Sequence, residues 1–408
     1  MVDDKMDNKE KQTKKIFSTT ETVLLVIMSL LIGLSIGFLF NKNISTKEKI
    51  ETDDENLNEF IKNYNYILDN YYEELDKKVL IKNAIAGMME SLDDPHSVYM
   101  DEDETDNFSI SLNGSYEGMG IQILKDEETG YMLISAVFKD SPASKSGLIP
   151  GDMIISIDDT KANELTASEF SSIIKNSDKD NFKLKILRNE EELEIDLSKQ
   201  VVTLTSVTSE TYNINDKKVG YIYIGIFANN TYIQFKEELE KLEKENINYL
   251  IIDVRGNTGG HLTTVDDMLD LFLNKKHIMY KFEKNGKVTE TYATGDENKK
   301  YEIILLGDEV SASASEVLIA GIKENLGSIY IGKKTYGKGT VQELITLSDG
   351  TQYKFTIKKW LTPQGNWINE TKGITPDIEV ELDPKYYETF EDSDDTQLQR
   401  VFEYIKER

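Results

Sequence analysis

The chain is 408 residues long, enough for two or three domains with an ample core. Its 74 acidic residues against 47 basic ones leave a formal net charge of −27, which argues against a nucleic-acid backbone as partner. It has no cysteine, which excludes a disulfide framework, a thiol nucleophile and thiolate metal sites.

Residues 1–22 mix Lys5, Lys9, Lys11, Lys14 and Lys15 with acids and read as a tail. Val23–Phe40 is an uncharged run of 18 residues, near the length that crosses a hydrocarbon core. Asn41, Lys42 and Asn43 follow it where a signal peptide would carry small residues, so an uncleaved anchor is expected over a cleaved leader. Lysines ahead of the span predict a cytoplasmic N-terminus and an extracytoplasmic remainder, although Lys42, Lys47 and Lys49 blunt the asymmetry. Gly33 and Gly37 form a GxxxG spacing, weak by itself as a sign of helix pairing.

A polar linker, 41–56, leads to a helical segment, 57–108. Leu57, Phe60, Tyr64, Ile67, Leu68 and Tyr71, then Leu80, Ile81, Ala84, Ile85 and Met88, recur at helical spacing and predict two amphipathic helices broken near Asp76. Their apolar stripe suits packing on its own domain or pairing with a second copy in a homodimer. The second helix runs out at SLDDPHSVYM, where Pro95 enforces a turn.

Over 114–200 the texture changes to short strands with one helix: Gly118–Ile123, Tyr131–Val137, a Gly151-Asp152 turn into MIISI, a helix near Ala167–Lys175, and Phe182–Arg188. This stretch, above all GMGI and SPASKSGLIPGDMIISIDD, resembles a PDZ domain. The resemblance implies that the loop Gly118, Met119, Gly120 and Ile121 binds a peptide's terminal carboxylate while the peptide adds a strand to the sheet edge.

Past Val201, strands alternate with helices: Val219–Phe227, a helix from about Thr231 to Glu245, and the apolar run Tyr249–Ile252 before Asp253 and the turn ending in Gly259 and Gly260. That alternation predicts an α/β layer over 201–385. Glycines just past a strand end allow close backbone approach, so Gly259 is a candidate second oxyanion donor, or part of an ordinary tight turn. Next, the buried strand Ile303–Leu306 and a Ser/Ala-rich turn open a helix through Val317, Leu318 and Ile322, which sets Ser313 where free N–H groups and the positive helix end gather. The chain has only three histidines, His96, His261 and His277, none near this serine in sequence. Lys338 is the better candidate base, provided that dehydration keeps its amine neutral. A strand over Gly339–Leu347 would bring Lys338, Thr340 and Gln342 to one face if it began at the lysine, letting Gln342 hold the amine.

Other chemistry fits poorly. Gly332, Gly337 and Lys338 have the spacing of a phosphate-binding loop, but Gly339 stands where Ser or Thr should hold magnesium. His261, Asp266 and Asp267 form no recognisable metal motif. Ser313 also suits a plain N-cap, and Lys338 a solvated surface residue.

SASASE, then TYGKGTVQ, preceded by the PDZ-like stretch and DVRGNTGG, closely resemble the carboxyl-terminal processing peptidases, and the likeness runs from about Leu57 to Asp383. It implies a multidomain α/β and β architecture: a single N-terminal transmembrane helix, a helical segment, and a PDZ-like domain before an α/β (ClpP/crotonase-like) core. It also implies a serine endopeptidase with Ser313 as nucleophile, Lys338 as general base and Gln342 orienting the lysine. Gly259 and Ala314 become the oxyanion hole, and no cofactor or metal is needed. His96 and Tyr336 are its departures. The implied partners are proteins with free C-termini, with the PDZ-like domain as a gate. A non-cleaving PDZ-based adaptor at the outer membrane face is the alternative, which intact Ser313, Lys338 and Gln342 argue against. The remainder, 386–408, is an acidic run and a helix whose Leu398, Val401, Phe402 and Ile405 form an apolar stripe.

Overall fold

A computed structural model describes residues 54–100, 102–296, 299–347 and 350–408. The expected membrane anchor, Val23–Phe40, and its GxxxG pair lie outside the described residues. Among the described residues no helix is long and apolar enough to cross a membrane. The chain divides into two compact units, Met1–Lys82 and Asn83–Arg408.

In the first unit, helix α1 (Glu55–Asn70) starts where the Asp54 carboxylate accepts from the Asn56 and Leu57 N–H groups. Leu57, Phe60 and Ile67 remain exposed. Asp76 caps the start of α2 (Lys77–Glu90) in the same way. After α2 come the short strand β1 (Val98–Met100) and helix α3 (Glu102–Asn113).

The PDZ-like part is tied at its neck. Its first strand, β2 (Ser115–Gly118), pairs antiparallel with its last, β8 (Gln200–Thr203). Between them, β3 (Ile121–Lys125), β4 (Met132–Val137), β5 (Met153–Ile157), β6 (Asn181–Arg188) and β7 (Glu191–Ser198) form one sheet in that order. Helix α4 (Ala167–Lys175) packs its apolar face on the sheet, starting from a Thr166/Glu169 capping box. Met132, Ile134, Ile154, Phe170, Leu184 and Ile186 are the centre of this core. The Gly151-Asp152 turn is fixed electrostatically: fully buried Asp152 accepts two 2.6 Å bonds from Arg188.

The remainder is organised on two sheets. The first runs β9 (Val207–Ile214), β10 (Lys217–Ile224), β11 (Tyr249–Asp253), β14 (Glu302–Gly307), β15 (Ile329–Gly332) and β18 (Ile378–Glu379), all parallel from β10 onward. Its central strands β11 and β14 are buried on both faces, as parallel strands usually are. Leu250, Ile252, Ile303 and Leu305 join one core with helices α5 (Thr231–Lys244), α6 (Leu262–Leu269) and α7 (Ala314–Leu326). Their neighbours Ile251, Ile304 and Leu306 face the opposite core, closed by α8 (Thr396–Lys406) through Leu398, Val401, Phe402 and Ile405. The apolar stripe expected for the last helix is therefore intramolecular packing.

The second sheet is antiparallel, with β1, β17 (Gln352–Leu361), β12 (Ile278–Lys284) and β13 (Lys287–Tyr292) in that order, and β16 (Thr340–Thr346) also on β17. The pairing Val98↔Lys354 joins a strand preceding the PDZ-like part to one near the end of the chain.

Candidate active site

Ser313 stands at the start of α7 with φ 55° and ψ −112°, left-handed backbone that a side chain rarely adopts. Such a turn is held only where its surroundings over-determine it, and here they do. The Ser313 N–H donates to the Glu316 carboxylate at 2.8 Å, Ser315 Oγ donates to Asn257 O at 2.8 Å, and Ser311 Oγ donates to Val254 O at 2.8 Å. Two of the three serines are thus structural anchors, fully buried, while Ser313 is only partly buried.

Glu316 does more than cap its helix. It is fully buried and also accepts from Thr335 Oγ1 at 2.6 Å, Gly337 N at 2.7 Å and Lys338 N at 2.9 Å. Burial raises its pKa, against the pull of these hydrogen bonds. One carboxylate therefore joins the serine turn to the lysine loop.

That loop is gripped from its other side by both tryptophans of the chain. Trp360 Nε1 donates to Lys338 O at 2.8 Å and Trp367 Nε1 to Gly339 O at 3.0 Å. Gly337, at φ 93°, passes so close to Gly373 that a Cβ would meet its nitrogen at 2.7 Å, a backbone path only glycine follows. The strand expected over Gly339–Leu347 runs from Thr340 to Thr346, so Lys338 lies ahead of it and the condition that would set Lys338, Thr340 and Gln342 on one strand face is not met. Bonds to Glu316, Trp360 and Asn369 fix this segment as a loop. The lysine's amine is held down to about pKa 8 by burial first and by the Lys354 charge second, against the opposing pull of Asp94 and Glu316.

Ser313, Ala314, Gly259, Lys338 and Gln342 line one cavity of about 500 Å³. Gly259 is at φ 112°, where a Cβ would meet Ser313 Cβ at 3.0 Å and Ala314 N at 3.2 Å, so its backbone abuts the serine turn. Its N–H, however, donates to Asn257 Oδ1 at 2.8 Å within its own turn. Gln342 Nε2 donates to Thr340 Oγ1 at 3.0 Å and to Thr356 Oγ1 at 3.1 Å. Between Val341 and Gln342 the pairing with β17 shifts register, a bulge of the kind that re-aims side chains beside functional sites.

Three further groups reach this site without a sequence signal that marked them. Lys354 lines the cavity two residues from Thr356, on the same strand face, with its Nζ 5.1 Å from the Phe108 ring centroid. His261 also lines the cavity, and burial lowers its pKa. His96 is lowered by burial and by the nearby Lys338 charge. Two histidines remote from Ser313 in sequence thus come near the site.

The glycine-rich loop of the PDZ-like part lies outside this cavity. Gly118, Met119 and Gly120 are buried and Ile121 partly so. Met119 O and Gly120 O accept from Ala143 N and Phe138 N, both at 2.9 Å. The Tyr116 ring lies against Gly118, where a Cβ would come within 2.5 Å of its Cε2. Burial pushes the Tyr116 phenol up to about 12, with the Gly120 N–H facing its oxygen.

Among the described residues no cluster of His, Asp and Glu could hold a metal ion. Residues 218–380 match the model of peptidase family S41, residues 118–198 that of the PDZ domain, and residues 38–105 that of the activating protease CtpB N-terminal domain. The chain is 36% identical over 337 residues to the carboxy-terminal processing protease CtpB of Bacillus subtilis (strain 168), covering 82% of this chain and 69% of that protein. It is 32% identical over 366 residues to CtpA of the same organism, covering 89% and 77%. The solved photosystem II D1 C-terminal processing protease aligns with 84% of this chain and 90% of its own at 22% identity and a TM-score of 0.48. With a PDZ domain ahead of a family S41 core, the chain belongs to the carboxy-terminal processing proteases, serine-type peptidases of family S41.

Proposed function

We propose that this protease is anchored to the cell membrane by Val23–Phe40, faces outward, captures substrate C-termini at Gly118–Ile121, and cleaves with a Ser313/Lys338 dyad. The observation that carries the chemistry is the strained Ser313 turn sharing a cavity with a lysine whose pKa is held to about 8. At neutral pH a useful fraction of that amine is unprotonated. Its Nζ takes the Ser313 Oγ proton as Oγ adds to the substrate carbonyl carbon. The ammonium returns the proton to the departing amine, leaving a Ser313 ester, and water deprotonated by the same amine hydrolyses that ester. Gln342 orients the amine. The Ala314 and Gly259 N–H groups receive the oxyanion, and Gly259 exchanges its Asn257 partner to do so. The exposed apolar residues of α1 serve pairing of two copies.

The test is degradation of an unstructured protein with a free apolar C-terminus by the wild type, Ser313→Ala and Lys338→Ala, and of the same substrate with an amidated tail. Wild-type cleavage should weaken on amidation, and both variants should lose about a thousandfold or more while staying folded. Cleavage surviving in Ser313→Ala would remove the nucleophile from this scheme. Binding without cleavage in the wild type would favour an adaptor.

A further inference from the structure

The SLDDPHSVYM turn lies some 220 residues ahead of Ser313 in sequence, yet its side chains end in the lysine site. Asp94 Oδ2 accepts from Thr356 Oγ1 at 2.6 Å and from Ser97 Oγ at 2.6 Å, while Oδ1 accepts from His96 N at 3.0 Å. Ser97 Oγ in turn accepts from Thr356 N at 3.0 Å, so turn and strand are locked twice over. Burial would raise the Asp94 pKa, but the bonds from Ser97, Thr356 and His96 outweigh it and hold the carboxyl below its usual range. Asp94 is thus an ionised, acceptor-only group.

From this a direction follows along the chain of bonds. An ionised carboxylate compels Thr356 to spend its only hydroxyl proton on Asp94. The threonine oxygen can then only accept, and its partner at 3.1 Å is Gln342 Nε2. A primary amide can flip its oxygen and nitrogen at little steric cost, and Gln342 has a second hydroxyl, Thr340, which can donate or accept. Asp94 is what removes the choice.

We propose that Asp94 is a positioning residue of the catalytic apparatus: acting through Thr356, it fixes the Gln342 amide so that its oxygen, not its nitrogen, is left to hold the Lys338 amine. The proposal rests on the reading of Lys338 as base and Gln342 as its orienter. A flipped amide would present N–H to the lysine, which would repel its protonated form and compete for the lone pair that must take the serine proton. Lys338 is also faced by Glu316 from α7, by Lys354 from β17, and by His96 from the turn that carries Asp94. Asp94 and Glu316 favour its ammonium, whereas Lys354 opposes it.

The test measures kcat, KM and pH profiles of the full-length chain on an unstructured protein with a free C-terminus, for Asp94→Ala, Thr356→Val, Thr356→Ser, Gln342→Ala and the double variant Thr356→Val/Gln342→Ala. Thr356→Val leaves Asp94 and its turn in place, so it guards against a variant that merely misfolds. Asp94→Ala and Thr356→Val should lower kcat about tenfold or more with little change in KM, and Thr356→Ser should restore most of it. The double variant should be no worse than Gln342→Ala alone, because both changes break one chain of bonds. Loss of the Asp94 charge, which favours the Lys338 ammonium, should move the ascending limb of the profile to lower pH. Additive losses in the double variant, or full activity in Thr356→Val, overturn the proposal. Activity surviving in Lys338→Ala would instead show that the dyad reading itself had failed.

Discussion

At the scale of single residues, the proposed dyad makes the protonation state of Lys338 set the rate. In that dyad its neutral form is the base, and burial with the Lys354 charge lowers its pKa to about 8, so kcat/KM should climb with pH and level off above that value. Lys354→Met removes a positive charge from the same cavity and makes the Lys338 ammonium easier to form. The ascending limb should then move to higher pH, and the rate at pH 7 should fall by a factor of about three to ten, whereas Lys354→Arg should keep the wild-type profile. An unshifted limb in Lys354→Met would show that burial alone tunes the base. The three residues carried over by family likeness, Ser313, Lys338 and Gln342, line one cavity, and the helix start, glycine turn and strand that bear them were legible as local patterns. Asp94, Glu316 and Lys354 were not. Ser313 and Glu316 have the spacing of an ordinary capping box, and nothing local says that the same carboxylate also holds Gly337 and Lys338. An acid or lysine becomes informative only once its burial and its distant partners are known.

Secondary-structure elements came through more fully, since periodicity reports which face is buried. Strands β11 and β14 read as continuous apolar runs because both faces are covered, and the PDZ-like strands alternate. The glycine turn at the lysine is held by partners that no local pattern shows: the Trp360 and Trp367 indoles and the Asn369 side chain, all supplied by segments that follow it, bind its backbone. In the PDZ-like part, the Tyr116 phenol faces the Gly120 N–H, a donor that the proposed capture of substrate C-termini would need. Tyr116→Phe frees that donor and keeps the ring against Gly118. It should tighten capture of a peptide with a free C-terminus by about threefold or more, measured as Kd by calorimetry, with no gain for the amidated peptide. Weaker binding would mean that the hydroxyl helps to shape the loop.

Across the whole molecule, one buried ionic network joins the central sheet to the last helix. Arg255 donates to Asp253 at the end of β11 and to Asp395 and Gln397 at the start of α8, and Tyr221 Oη donates to the same Asp253. Removing one partner leaves an uncompensated buried charge. Asp395→Ala should therefore cost about 3–5 kcal/mol in urea unfolding of the peptidase core, and a loss under 1 kcal/mol would show that water replaces the carboxylate. No local pattern signals such a tie, because its members are about 140 residues apart.

The pairing of β1 with β17 carries a consequence in time. The segment holding Asp94 is made early, whereas Lys354, Thr356 and Trp360 are made after nearly all the rest. A polypeptide still on the ribosome, with β17 not yet emerged, owns its serine and its lysine but not the strand whose Lys354, Thr356 and Trp360 surround the lysine and Gln342. Under the proposed dyad, proteolytic competence therefore waits for β17 to emerge.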